Sequence, residues 1–350
     1  MNTSSRKLPN YTQLDLFYTQ FSDIAIRALQ DVMERPFFAL DHRPRFEPLV
    51  YKTKSAEVTI SGGKPYGIAT IFDHDVLMWF ISHIVEARDN GKPTSPQIDF
   101  TPYECLQGIY RRRGGREYQL LGKSIERLAA TLVTTNIRKE DQTSLSKAER
   151  QRLKTGFHWL ESYGIHYTER KGKEKIDGIT VVLPNWLYRG ALKHGNILTI
   201  DERYFLMRSG LDRMLYLIAR KHVGRQDHWR FTMRELYEKT GSEMPFKSFA
   251  LKMREKIARD QKEKVLPEYC MEKYHGQHDD EVVVLKNRGK LEFKDPRYES
   301  PRLDKRTQRL RIGLLPDDAD EARQKLYARR GINLKKSAEK VMAEHGVDNQ

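Results

Sequence analysis

The chain has 350 residues, with 63 Lys and Arg against 48 Asp and Glu, a formal charge of +15 and a pI near 9.6. Hydrophobic residues at 38% and aromatics at 10% exclude a disordered chain and suffice for two domains with separate cores. Two cysteines, Cys105 and Cys270, exclude a disulfide framework or a Cys-based zinc site and lead us to expect a reducing cytoplasm.

The chain opens on a polar leader, followed by Gln13-Leu14-Asp15-Leu16-Phe17. This order resembles the peptide that bacterial proteins insert into the cleft of the polymerase sliding clamp. Gln13 would then bond at the rim, while Leu14, Leu16 and Phe17 supply apolar anchors. The competing expectation is an amphipathic helix that lays Leu14, Phe17 and Phe21 on the protein's own core. Further on, Ser61-Gly62-Gly63-Lys64 has Val58 and Pro65 where a phosphate loop needs other residues, so it reads as an ordinary loop.

The stretch Asp73 to Asp89 is helical by pattern, with Val76, Phe80 and Ile84 on one face. Its apolar part, Val76 to Val85, is too short to cross a bilayer, and the N-terminus lacks an apolar secretory core. No membrane partner is expected. A strand-like phrase follows, Gln97 to Phe100, and then Thr101 with Glu104 three residues on. That spacing is a capping box: each side chain satisfies the other residue's orphan amide, so a helix should start here and run to about Arg112. After Gly114-Gly115, Leu121, Ile125, Leu128 and Leu132 mark a second helix over about Glu117 to Thr131. The polar run Lys139 to Lys154 reads as an exposed insertion. A hairpin then takes in Phe157 to Thr168, a turn at Lys171-Gly172-Lys173, and Ile179 to Leu183.

The same order returns after a connection at Lys193-His194-Gly195-Asn196. A helix spans about Leu211 to Val223, a strand His228 to Phe231, and a second capping box joins Thr232 to Glu235. Past Gly241 and Pro245, Phe246, Phe249, Met253 and Ile257 line one face of another helix. Leu266 to Tyr274 and Val282 to Leu285 make another hairpin. Both second helices carry Lys-Ser, at Lys123-Ser124 and at Lys247-Ser248. From Lys286 the tail is basic, contains prolines, and could add non-specific DNA affinity through counterion release.

Helix, strand, helix, turn, helix and hairpin, written twice, predict an α+β fold of two tandem winged-helix (helix-turn-helix plus β-hairpin) domains. The expected division is an N-terminal extension over 1–60, winged-helix domains over 61–195 and 196–290, and a flexible basic tail over 291–350. Double-stranded DNA is the expected partner. On the first candidate recognition helix and just before it, Arg111, Arg113, Arg116, Gln119, Lys123, Ser124 and Arg127 are expected to contact DNA. Lys171, Lys173 and Lys175 at the hairpin suit phosphates. On the second helix the candidates are Lys247, Ser248, Lys252 and Arg259. Arg and Gln suit purine edges, whereas Lys and Ser more often hold phosphates.

Several long phrases resemble the plasmid replication initiator protein A family. They include YGIATIFDHDVLMWFISHIVEA (Tyr66 to Ala87), IDFTPYECLQGI (Ile98 to Ile109), ATLVTTNIR (Ala130 to Arg138), LPNWLYRG (Leu183 to Gly190), LTIDERYFLMRSGLDRMLYLIARKH (Leu198 to His222) and WRFTMRELYEKTGS (Trp229 to Ser242). The resemblance covers about Pro36 to Lys286. It implies a plasmid initiator that binds repeated origin sequences (iterons), helps to open the duplex and recruits host replication proteins. By the same resemblance those proteins include the helicase and the chromosomal initiator. It also implies a monomer/dimer switch, with dimers repressing the initiator's own promoter.

Enzyme chemistry is not expected. His275-Gly276-Gln277-His278 has no apolar residue between its histidines, and His158 with His166 does not make a metal-binding His pair. No tyrosine stands out as a nucleophile. We therefore expect no catalytic residue, no metal and no cofactor. The alternatives are a transcriptional repressor without a replication role and, disfavoured by the missing His motif, a nicking enzyme.

Overall fold

The computed structural model describes residues 17–18, 24–52, 57–136, 154–170, 172–276 and 281–300. The chain divides into two units, Met1–Arg302 and Leu303–Gln350. The second unit, and with it most of the basic tail, lies outside the described residues, as does the expected insertion over Lys139 to Lys154 apart from Lys154 itself.

Part of the stretch expected to be an extension is built into the core. Strand β1 (Phe17–Tyr18) runs parallel to β5 (Gln97–Phe100). Strand β2 (Arg27–Leu29) and helix α1 (Gln30–Met33) follow, then β3 (Leu49–Lys52) and β4 (Glu57–Ser61). Ile26, Leu29, Met33, Phe37, Phe38, Leu49 and Val58 are all buried, because their apolar side chains have nowhere else to go in so short a segment. The division drawn at residue 60 therefore falls inside β4.

At the centre lies α2 (His74–Asp89), buried on every face through Ala87. Its sequence explains this: Val76, Leu77, Met78, Trp79, Phe80, Ile81, Ile84 and Val85 leave little polar surface. Strand β5 then leads into α3 (Pro102–Gly108) and α4 (Gly115–Ala130). Strands β6 (Leu132–Thr135) and β7 (Thr155–His158) close a four-stranded sheet of order β3-β4-β6-β7. The hairpin proper is β8 (Ser162–Arg170) with β9 (Lys173–Val182). The single strand expected over Phe157 to Thr168 is thus two. Trp159 and Leu160, both buried, turn the chain from one sheet to the other.

After α5 (Asn185–Leu192), the exposed turn at Lys193 to Gly195 leads to β10 (Ile197–Thr199), which pairs with β2. The second set comprises α6 (Gly210–His222), β11 (His228–Thr232), α7 (Met233–Thr240), α8 (Phe246–Asp260), β12 (Tyr269–His275) and β13 (Glu281–Asn287).

Strand pairing repeats along with element order. In the first set β5 pairs antiparallel with the second hairpin strand, β9, which pairs with β8. In the second set β11 pairs antiparallel with β13, which pairs with β12. Both capping boxes are formed. Thr101 accepts from the Glu104 amide at 3.3 Å while Glu104 accepts from the Thr101 amide at 2.9 Å. Thr232 and Glu235 do the same at 3.1 and 2.8 Å. The repeated F-T-x-x-E phrase is therefore the entry to the first helix of each tight pair.

Candidate nucleic-acid interface

Two residues set how each pair turns. Gly108 closes α3 against Trp79, whose indole would collide with any Cβ there. Gly241 ends α7 in the left-handed conformation, φ 64°, facing the Tyr51 ring and Pro36. A side chain would meet both the backbone penalty and these neighbours.

Helix α4 sends Leu121, Ile125 and Leu128 into the core and leaves Arg116, Gln119, Leu120 and Lys123 exposed on one face. Helix α8 buries Phe249, Ala250, Met253 and Ile257 and exposes Lys247, Ser248, Leu251, Lys252, Glu255 and Arg259. Each helix thus presents a basic, solvent-facing stripe of the width that enters a major groove.

The expected contact residues divide into outward-facing and inward-facing groups. Arg116, Gln119, Lys123, Lys175, Lys247, Ser248 and Lys252 are exposed. Arg113 is exposed too, and donates to the Tyr103 hydroxyl at 2.6 Å while lying 5.0 Å from that ring's centroid. The Lys175 ammonium sits 5.7 Å from the Tyr118 ring centroid. Arg259 lies near the far end of α8, 3.6 Å from Glu263. Lys171 falls outside the described residues. Lys173 opens β9.

Ser124 is corrected. Its side chain is fully buried, and its hydroxyl donates to Asp73 at 2.5 Å. The Lys-Ser match suggested by sequence is not a structural one. Aligning buried positions sets Leu121, Ile125 and Leu128 against Phe249, Met253 and Lys256, so Ser124 has no counterpart in the exposed Ser248.

Arg127 is corrected as well. Its guanidinium holds Asp73 through two bonds, 2.9 and 2.7 Å, with its side chain only 18% exposed. Asp73 also accepts the Thr70 amide at 2.8 Å. Arg127 and Ser124 therefore moor α4 to the start of α2 rather than reaching for a partner. Arg111 is likewise committed to Asp75, at 3.0 Å, and to the Phe72 carbonyl, at 2.5 Å.

Sequence reasoning missed Arg254. It forms a bidentate pair with Glu281 of the second hairpin, 2.8 and 2.7 Å, which fixes α8 against that hairpin. Only the fold brings Glu281 near, so helical spacing carried no sign of it. Of the candidate clamp peptide, Gln13, Leu14 and Leu16 lie outside the described residues, and Phe17 begins β1. No helix among the described residues is long and apolar enough to cross a membrane, and no three His, Cys, Asp or Glu among them cluster as metal ligands would.

Comparison with known proteins places this geometry. The crystal structure of domains 2 and 3 of RctB aligns with a TM-score of 0.52 at 14% identity, over 75% of this chain and 99% of that one. The Pi initiator protein, crystallised with iteron DNA, aligns at 0.39 and 12% identity, over 67% and 98%. A "Putative replication protein" of Wigglesworthia glossinidia brevipalpis is 37% identical over 243 residues, 68% of this chain and 81% of that protein. The family described as Replication initiator protein A matches residues 27–271, which hold both capped helix pairs and the first hairpin and end inside β12. The chain belongs to the replication initiator protein A family.

Proposed function

We propose that this initiator binds the repeated sequences of a plasmid origin through two tandem winged-helix domains, each placing its second helix in the major groove. The observation that carries this reading is the recurrence of one set of elements and strand pairings, with an outward basic stripe at α4 and again at α8. A net charge of +15 supplies the general attraction to a polyanion. The two hairpins are the wings, laid against the backbone on either side of the reading helices. On this reading the described residues form a double DNA reader.

The same reading extends to events at the origin. Gripping two neighbouring stretches of duplex from one rigid body favours bending, which lowers the cost of opening the adjacent DNA. The protein acts in the cytoplasm without bond chemistry or a cofactor, recruits host replication proteins, and represses its own promoter as a dimer. Gln13, Leu14, Leu16 and Phe17 supply the contact to the sliding clamp. A Leu16→Ala, Phe17→Ala double variant that pulled down the clamp as well as the parent would remove that last element.

Footprinting with the purified protein on DNA upstream of its own gene tests the central reading. Direct repeats should be protected at a spacing near one helical turn. Protection of no repeat would contradict it. Metal-dependent nicking of supercoiled DNA by the same preparation would overturn the non-enzymatic part.

A further inference from the structure

Each reading helix carries one side chain that its basic stripe does not call for. Leu251 is 57% exposed on α8, among Lys247, Ser248 and Lys252. Leu120 is 40% exposed on α4, beside Arg116, Gln119 and Lys123. Neither is needed for packing, since Phe249, Met253 and Ile257 already fill the apolar face of α8, and Leu121, Ile125 and Leu128 that of α4. Helix propensity does not select leucine either, because Lys, Gln and Glu are nearly as good. Their cationic neighbours make a poor setting for an apolar protein partner, whose burial would strip water from several ammonium groups.

We propose that Leu251 and Leu120 read thymine, each by packing on the C5 methyl group of a base in the major groove. This rests on the assignment of α4 and α8 as the DNA readers. That methyl is the apolar group among the hydrogen-bonding edges of the major groove, so an apolar side chain at the centre of a reading stripe has one matching target. The flanking Lys and Arg hold phosphates and purine edges, and the leucine adds discrimination that charge cannot give.

The two readers are not identical. By their buried positions, Leu120 is equivalent to Ser248, and Leu251 to Lys123. The methyl contact therefore lies three residues further along in α8 than in α4, about 4.5 Å along the helix axis. Thymine should occupy different positions in the two half-sites.

The test uses the full-length protein and the duplex it selects from a random-sequence pool. Each thymine of that duplex is replaced singly by uracil, which lacks only the methyl group. Wild-type affinity should fall about fourfold at one or two positions in each half-site, the effect of one buried methyl group. Leu251→Ala should lose this sensitivity in one half-site and keep it in the other, and Leu120→Ala should do the reverse. Sequence-specific binding that ignores uracil everywhere would overturn the inference while leaving DNA reading intact. So would uracil sensitivity that persists in both variants, or a half-site without thymine. A pool that yields no preferred sequence would instead overturn the assignment of the readers, and this inference with it.

Discussion

Single residues in this protein do two kinds of work, and burial tells them apart. Lys123 faces solvent while Ser124, its neighbour, closes on Asp73 inside the core. A buried histidine adds a pH dependence. His74 is stacked on Phe38, with ring centroids 4.8 Å apart, and burial, aided by the Arg213 charge, pushes it down to about 3. His83 is held at about 3 by burial alone. His222 is held at about 4 by burial, with Lys239 and Lys221 adding to this and Glu34 opposing it. Below pH 6.5 the unfolded chain binds protons at these sites that the folded chain does not, so stability falls as the pH drops. Each site contributes up to about 1.4 kcal/mol per pH unit. Glu34 acts lower down. Burial raises its pKa, but Lys221 and Lys239 outweigh this and hold it at about 2, so its stabilisation is lost only as the pH falls below the usual carboxylate range. His74→Phe should therefore flatten the fall in chemical-denaturation stability between pH 6.5 and 4.5 by about a third. An unchanged slope would show that His74 is protonated in the folded state.

At the scale of the element, the position of α4 depends on its anchor as much as on its sequence. Asp73 gathers Ser124, Arg127 and the Thr70 amide, so it is the point to which α4 is tied. Asp73→Ala would leave a mostly buried guanidinium without its carboxylate, and should cost about 3 kcal/mol. Thermal unfolding should show this as a clear drop in Tm, whereas Lys123→Ala should leave the Tm within a degree or two of wild type. Equal Tm values for the two variants would mean that the Asp73–Arg127 pair is dispensable. Much of the element order was legible in the sequence. The two capping boxes announced α3 and α7, and 3.6-residue periodicity announced α4 and α8. The split of β7 from β8 was not legible, because Phe157 to Leu160 is apolar whichever sheet receives it. Ser124 and Arg127 were misread because their partner lies 51 and 54 residues away, beyond the reach of helical spacing.

Across the whole molecule, one hydrophobic core runs from Ile26 to Leu285 and joins the two sets of elements. Buried charge fixes the join. Asp75, with a side chain fully shielded from solvent, accepts Arg213 of α6 at 2.6 Å and Arg111 of the first set at 3.0 Å. Arg213 also donates to the Met207 and Phe205 carbonyls and lies over the Phe72 and Tyr204 rings. On another side, Glu34 binds Lys221 and Lys239. The Tyr51 hydroxyl donates to the Gly241 carbonyl at 2.8 Å, at the turn that aims α8. These ties join the elements that carry α4 and α8, so the spacing between the two helices is set by the fold. Neither Asp75 nor Glu34 stood out in the sequence, since the partners of each come from distant segments. On the proposed function, α4 and α8 each read one of two adjacent stretches of duplex. Hydroxyl-radical footprinting of wild type, an Arg116/Gln119/Lys123→Ala variant and a Lys247/Ser248/Lys252→Ala variant tests it most directly. The wild type should protect two neighbouring patches, and each variant should lose one patch and keep the other. A variant that keeps its fold and still protects both patches would contradict the claim.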